Sequence, residues 1–440
     1  MRITMIGTGY VGLVSGVCFS EFGFDVTCVD IDAEKIERLN RMEVPIFEPG
    51  LDDLIERNYA DKRLTFTTDF DSAVGQADVV FIAVGTPSRR GDGEADLTYV
   101  YEAARRLAHA MKPGTVVVIK STVVVGTCRK VAEIIAAERP GLDFSIASNP
   151  EFLREGSAIE DFMRPDRVVV GVVDTRGEEA LRRLYRPLFL RETPIVVTTL
   201  ENAELIKYAS NAFLAMKITF INEVADLCEK VGGDVQKVAS AIGLDKRIGS
   251  KFLHAGPGYG GSCFPKDTTA LAATARKYDT ALRLVETTIE VNDARKRAMA
   301  ERVLNALGAD PAGKTVGILG IAFKPNTDDV RDAPSLVIVP ALQAAGVRVR
   351  AHDPEAQEQA APLLPGVEWC DAPYDVANGA DVLAVLTEWN VYRGLSPRAL
   401  AERMRGRTVV DMRNIWPAEE IAEAGLTHVG IGRAPTRGES

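Results

Sequence analysis

The sequence predicts an α/β chain with two doubly wound parallel sheets joined by a long central helix and a helical region. Three observations lead to this class. The first 30 residues read as strand, glycine turn, helix, strand and acid. Strands and helices then alternate to about residue 200, the pattern of a parallel sheet covered on both faces. From about residue 311 the opening pattern returns, without its full set of glycines.

Residues 2–6 read as a short apolar strand. It enters Gly7-Thr8-Gly9-Tyr10-Val11-Gly12 and then a helix over 13 to about 22, and a strand over 25–29 ends at Asp30. A GxGxxG turn is informative in this context of strand, helix and acid. Gly7 makes the tight turn, Gly9 lets the backbone approach a pyrophosphate, and Gly12 lets the helix pack close to the sheet. The helix N-terminus then favours the phosphate charge, and Tyr10 and Val11 of the turn are placed with the glycines at the cofactor. Asp30, 18 residues after Gly12, is placed to accept hydrogen bonds from an adenosine ribose and to repel a 2′-phosphate. NAD is therefore the predicted cofactor, and residues 1–200 are a predicted Rossmann-like NAD-binding domain.

Further strands are predicted over 78–84, 115–120, 144–147 and 168–172. In parallel α/β sheets, ligands bind beyond the carboxyl ends of the strands. The loops that carry Thr86, Thr122 and Glu151 are of this kind, which directs these polar residues towards a cofactor cleft. A helix cap or a turn is the competing role for each threonine.

One long helix is predicted from about 202 to 231, free of proline and glycine and about 45 Å long. Its apolar residues run nearly all the way round, the signature of a helix buried between other elements. It is expected to link two domains and to contribute to a subunit interface. Lys207 and Asn211 are spaced i, i+4 and share a face. A cation and an amide there can stabilise a developing oxyanion; a solvated lysine and a packing asparagine are the alternative.

The run Gly258-Tyr259-Gly260-Gly261-Ser262-Cys263-Phe264-Pro265-Lys266-Asp267 carries the most chemistry. Its glycines let the backbone come close to a ligand. Pro265 can open a helix whose free N–H groups point back at the thiol, and Lys266 adds a positive charge; both favour the thiolate. That is a setting for a covalent nucleophile, with an inert buried cysteine as the alternative. Residues 201–300 are thus read as a central helical, dimerising region that carries Lys207, Asn211 and Cys263.

The repeat from 311 has a strand over 314–320, a strand over 347–351 ending at His352-Asp353, and an apolar strand over 380–386. In place of the glycine turn stands Phe323-Lys324-Pro325-Asn326-Thr327-Asp328-Asp329-Val330-Arg331, in which Lys324 and Arg331 can meet an anionic ligand. A second Rossmann-like domain is predicted over 311–432, and 433–440 as a loose tail.

Composition limits the partners. The 440 residues carry a net charge of -10 and no long basic run, which argues against nucleic acid. No apolar stretch has the length of a membrane span. The chain starts directly in its first strand, so no signal peptide is expected. The six cysteines and four histidines are scattered, with no CxxC pair. This predicts a reducing, cytoplasmic setting with no metal site.

Taken together, these stretches resemble the nucleotide-sugar 6-dehydrogenases over about the whole chain. The matching runs are Gly7 to Gly12, Lys120-Ser121-Thr122, Asn149-Pro150-Glu151-Phe152-Leu153, Asn202 to Leu205 with Lys207 and Asn211, Arg247 to Leu253, Gly258 to Asp267, and Gly320 to Arg331. The resemblance implies a homodimer that oxidises carbon 6 of a sugar nucleotide twice, using NAD each time. The UDP-glucose branch is favoured over the GDP-mannose and N-acetylated UDP-hexosamine branches. It implies Cys263 as the nucleophile, Lys207 and Asn211 as oxyanion partners, and Asp267, Glu151 and Thr122 in water ordering and proton transfer. Glu151, Phe152, Leu153, Lys207, Asn211, Lys251, Phe252, Gly260 and Lys324 match substrate contacts, and Arg247 matches a residue that reaches a neighbouring subunit's site. Lys35, Thr86, Thr122, Glu155, Lys266 and Arg331 match cofactor contacts. A single-hydride 3-hydroxy-acid dehydrogenase and a noncatalytic NAD-binding protein are the other readings; neither needs Cys263.

Overall fold

The computed structural model describes residues 1–89, 91 and 93–436. The chain divides into two compact units, Met1–Ser210 with Ala273–Thr280, and Asn211–Ala272 with Ala281–Ser440.

The first unit holds eight strands: β1 Arg2–Ile6, β2 Asp25–Val29, β3 Leu64–Thr67, β4 Val79–Ile82, β5 Thr115–Ile119, β6 Phe144–Ser148, β7 Val168–Val172 and β8 Ile195–Thr198. They pair in the order β3-β2-β1-β4-β5-β6-β7-β8. The order reverses between β1 and β4, so the glycine turn after β1 lies at the switch point where such sheets take their ligands. The strands predicted over 2–6, 25–29 and 168–172 have those bounds. The central strands β4 and β5, Val-Val-Phe-Ile and Thr-Val-Val-Val-Ile, are buried at every position because they are covered on both faces.

The sheet is not parallel throughout. β7 runs antiparallel to β6, and β8 then runs parallel to β7. The connection between Ser148 and Val168 carries one short helix, Ala158–Met163.

The second unit repeats the plan with β9 Thr315–Leu319, β10 Arg348–His352, β11 Glu368–Trp369, β12 Val382–Val385, β13 Thr408–Asp411 and β14 Thr427–Gly430. Their order is β11-β10-β9-β12-β13-β14, all parallel. The tail read as loose begins with ordered contacts. Arg433 lies 3.2 Å from Asp234, and Thr436 pairs with His428 in an antiparallel bridge. Residues 437–440 lie outside the described residues.

The long helix spans Leu200–Val231, and the two units divide within it, after Ser210. Its first half buries Ala203, Glu204, Lys207 and Tyr208. The expectation of a helix buried on most faces does not hold further along. Phe213, Phe220 and Leu227 are 59%, 53% and 60% exposed. Seven residues apart, they form one apolar stripe, because seven residues make nearly two turns.

Candidate active site

In the first unit the glycine turn is built as a ligand cradle. Gly7 has φ +98°, a left-handed conformation that favours glycine. A Cβ on Gly12 would stand 2.0 Å from the Gly7 carbonyl oxygen, so Gly12 permits the helix Tyr10–Glu21 to start against the turn. A Cβ on Gly9 would meet nothing within 4 Å. The space over Gly9 is open and the helix N-terminus faces it, which fits the pyrophosphate of a dinucleotide.

Asp30 ends β2 beside this turn. Its Oδ2 accepts from the Thr8 N–H at 2.8 Å and the Thr8 hydroxyl at 2.7 Å, and Lys35 lies 3.8 Å away. Burial alone would raise its carboxyl. The Thr8 and Asp32 donors and the Lys35 charge outweigh burial and hold it below the usual carboxylate range. Asp30 is thus a fixed anion with its second oxygen bonded to the Asp32 N–H at 3.1 Å. Tyr10 donates to Glu48, whose carboxylate also accepts from the backbone of Gly156 and Ala158 at 2.7 Å each. Glu48 therefore ties the start of the cofactor helix to the loop carrying Glu155. Sequence reasoning passed over Glu48; its only signal was an acid between two prolines and a glycine.

The loops after β4 and β5 are joined by the Thr86 hydroxyl, which donates to the Thr122 carbonyl at 2.8 Å. After β6 comes Glu151, buried, with Oε1 2.8 Å from the Lys207 ammonium and Oε2 accepting from the Leu153 N–H at 2.6 Å. Both side chains of the pair are at most 4% exposed. Burial pulls the Glu151 carboxyl upward. The Lys207 charge and hydrogen bond, the Leu153 N–H and the Lys120 charge overcome it, so the group titrates below its usual range. The Phe152 ring lies under two cations, Arg167 at 3.8 Å and Lys207 at 5.4 Å. This unit brings together Glu151, Phe152, Leu153 and Lys207.

In the second unit Cys263 immediately precedes the helix Phe264–Lys277. It is half-buried, whereas Cys18, Cys28, Cys128, Cys228 and Cys370 are buried. Burial pushes the Cys28 thiol up to about 12 and the Cys128 thiol well above its ordinary value, so those two are unreactive. Cys263 alone of the six combines access with a helix N-terminus. One turn into the helix, Asp267 is buried; its Oδ2 accepts from the Asn211 amide at 2.6 Å and its Oδ1 from Lys266 at 2.7 Å. Asn211 is on the long helix, one turn after Lys207.

The loop that carries Cys263 is clamped on both sides. Gly261 N–H donates to the Arg331 carbonyl at 2.8 Å, and Ser262 N–H to the Asp329 carboxylate at 3.2 Å. Asp329 also takes the Arg331 guanidinium at 2.8 Å. A Cβ on Gly260 would stand 2.5 Å from the Asp332 carbonyl oxygen, so this loop lies against the one after β9. Asn292 accepts from the Tyr259 N–H at 2.8 Å and donates to its carbonyl at 3.2 Å. Phe252 has φ +63° and its ring lies 5.9 Å from Phe264. Lys324 stands 5.3 Å from the Phe323 ring. Arg413, after β13, donates to the carbonyls of Leu386 and Phe323 at 2.7 and 3.0 Å. Asn292 and Arg413 were missed by sequence reasoning because each acts on a loop remote in sequence. Lys251 and Arg247 stand apart from this cluster as exposed side chains, with Arg247 paired to Asp245 at 2.6 Å.

Known proteins share this organisation. Residues 1–189 match the NAD binding domain of the UDP-glucose/GDP-mannose dehydrogenase family, 201–294 its central domain and 317–418 its UDP binding domain. A UDP-glucose 6-dehydrogenase of Rhizobium meliloti is 59% identical over 98% of this chain and 100% of its own. The UDP-glucose 6-dehydrogenase YwqF of Bacillus subtilis is 47% identical over 98% of each chain. The structure of a UDP-glucose dehydrogenase from Pyrobaculum islandicum superposes with a TM-score of 0.89 at 41% identity, covering 95% of both chains. With the glycine cradle, the half-buried thiol and these full-length matches in hand, the chain belongs to the UDP-glucose/GDP-mannose dehydrogenase family.

Proposed function

We propose that the chain oxidises UDP-glucose at carbon 6 to UDP-glucuronate, a four-electron reaction that uses two NAD in turn. The observation that carries the reading is Cys263, half-buried at a helix start, with Asp267 fixed by Asn211 and Lys266 one turn further on. A single-hydride dehydrogenase has no use for that thiol. The named activity of the Rhizobium meliloti and Bacillus subtilis relatives supports the choice of sugar nucleotide.

Gly7, Gly9, Tyr10, Val11, Gly12 and Asp30 would hold the dinucleotide, with Lys35, Thr86, Thr122, Glu155, Lys266 and Arg331 as further contacts. When bound, it supplies a hydride acceptor for each oxidation. The rest of the chemistry falls to the protein. After the first oxidation the Cys263 sulfur adds to the aldehyde carbon and the thiol proton passes to oxygen, giving a thiohemiacetal. Lys207 and Asn211 stabilise the oxyanions that form, as a cation and an amide donor fixed in advance. Glu151, ionised, keeps Lys207 cationic. The second oxidation turns the thiohemiacetal into a thioester. Water, ordered by Thr122 and Asp267, adds to its carbonyl, and the Cys263 thiolate leaves. Covalent capture holds the aldehyde while one dinucleotide replaces the other. Phe152, Leu153, Lys251, Phe252, Gly260 and Lys324 complete the sugar-nucleotide contacts.

A homodimer is part of the proposal. The stripe of Phe213, Phe220 and Leu227 is an apolar face that a second copy can cover. Arg247, its side chain 89% exposed, is available to a neighbouring subunit's ligand. Among the described residues no helix is long and apolar enough to cross a membrane. The half-buried Cys263 thiol suits the cytoplasm, where thiols stay reduced.

The deciding measurement is the ratio of NADH formed to sugar nucleotide consumed, across UDP-glucose, GDP-mannose and N-acetylated UDP-hexosamines. Two NADH per UDP-glucose, with UDP-glucuronate as product, is expected. A ratio of one, or an aldehyde as end product, rules out the four-electron reaction.

A further inference from the structure

Beneath the Glu151–Lys207 pair lies a second lysine that the chemistry above does not use. Lys120 follows β5 and is 3% exposed. Its ammonium stands 3.2 Å from the Asn149 side-chain oxygen, 3.4 Å from the Asn149 carbonyl and 3.4 Å from the Tyr185 hydroxyl. Tyr185 donates to the same Asn149 oxygen at 2.6 Å, and the Asn149 amide donates to the Val169 carbonyl on β7 at 2.9 Å. The Phe162 ring covers the ammonium at 5.9 Å. A fully buried cation held by three neutral oxygens is costly to keep, since none of them carries the opposite charge. Asn149 is two residues before Glu151, so the contacts of Lys120, Tyr185 and Val169 with Asn149 act on the segment that presents the Glu151 carboxylate.

We propose that Lys120 is a positioning residue for the reaction: through Asn149 it fixes the Asn149–Glu151 segment and so the place of the Glu151 carboxylate. The charges around the carboxylate are Lys207 from the long helix and Lys120 from the end of β5. Around Lys120 stand Glu151, Lys207, the Cys18 thiol and the Tyr185 hydroxyl. Burial lowers Lys120, Glu151 opposes it, Lys207 adds to the lowering and Cys18 opposes it slightly, which together bring Lys120 down to about 8, so it is charged at neutral pH. Removing this cation raises the Glu151 carboxyl.

The inference rests on the proposed reading of Glu151, and the test separates the two. In the full-length protein, kcat/KM for UDP-glucose is measured against pH for Lys120→Met, Lys120→Gln, Lys120→Arg and Glu151→Gln, with NAD binding and melting curves alongside. The acid limb is expected to move up by about half a pH unit or more in both neutral variants. It should stay near the parent position with Arg, which keeps the charge. Glu151→Gln should remove that limb from the residual turnover; a Gln variant that keeps it overturns the Glu151 reading. If Glu151→Gln removes the limb while folded Lys120→Met leaves it unmoved, the Lys120 inference is overturned alone. Should the neutral Lys120 variants fail to fold, Tyr185→Phe decides. A fall in kcat with an unchanged KM for NAD supports the positioning role, and parent-like kcat overturns it.

Discussion

Glu151→Gln is the sharpest test of how the first unit stores charge. The substitution keeps shape and can keep the acceptor for the Leu153 N–H. It removes the anion 2.8 Å from Lys207, in a pair at most 4% exposed. Breaking a buried pair from one side costs about 3–5 kcal/mol, because the remaining charge is left without its counter-ion. Here two ammonium groups are left, Lys207 and Lys120. They have a way to relieve the cost, since either can release its proton. Lys120 is already pushed down to about 8 by burial, so its charge is the easier to lose. The penalty is therefore pH-dependent. The folded variant binds fewer protons than the unfolded chain above the lowered lysine value, so its stability rises with pH there. The deficit relative to the parent should be near the full about 3 kcal/mol at pH 6 and smaller at pH 9. Urea unfolding of parent and variant at both pH values measures it, read on the transition of the first unit, because two compact units need not unfold together. Equal stability at pH 6 would falsify the view that Glu151 and Lys207 form a buried ion pair. A deficit that grows with pH contradicts the proton release.

Three further outcomes are expected. Cys263→Ser should still bind NAD and UDP-sugar but stall with sugar attached, seen as added mass on the intact protein. Cys263→Ala should show no adduct, and near-parent turnover in the Ala variant removes the nucleophile assignment. Asp30→Ala should weaken NAD binding and relax discrimination against NADP, since the ribose acceptor and its charge both vanish; a parent that already prefers NADP contradicts the reading of Asp30. Phe220→Asp should shift the protein towards monomer in sedimentation at constant concentration, as a charge in an apolar interface is left unpaired. An unchanged oligomer moves the interface elsewhere.

Much of the fold could be read from the sequence because its signals are local. Three predicted strands have the observed bounds, and the glycine turn announces its own geometry: the left-handed φ of Gly7 and the contact that forbids a Cβ on Gly12 are properties of a few adjacent residues. The antiparallel turn of β7 was not legible. Strand direction depends on the path between Ser148 and Val168, and an apolar run such as Val168–Val172 reads the same both ways. The long helix was legible in length and not in burial. Which apolar residues are covered depends on what packs against them, so Phe213, Phe220 and Leu227 look like core residues in a window and emerge exposed. Cys263, Lys207 and Asn211 could be singled out from the sequence because each has chemistry of its own. Lys120 was visible only as part of a motif, since its partners Asn149 and Tyr185 are 29 and 65 residues away.

The two sheets show how one plan is put to two uses. Each has an aspartate directly after its second strand, Asp30 after β2 and Asp353 one residue beyond the last of β10. Asp30 gives one oxygen to Thr8 and the other to the Asp32 N–H, and stays partly exposed beside an open glycine turn. Asp353 is 4% exposed and its carboxylate is occupied. One oxygen accepts from the N–H groups of Ile321 and Ala322 at 2.6 and 2.9 Å and from the Trp389 indole at 3.3 Å; the other accepts from the backbone of Glu355 and Ala356. The donors that a glycine turn would offer to a phosphate are here turned inward onto a protein carboxylate. The loop after β9 here carries Lys324, 5.3 Å from the Phe323 ring, and is braced by Arg413 at the Phe323 carbonyl. The same position in the same topology thus borders an open glycine turn in one unit and closes the turn in the other. That is why the second repeat lacks the full glycine fingerprint while keeping the strand order, and why the two units can divide cofactor and nucleotide-sugar recognition between them.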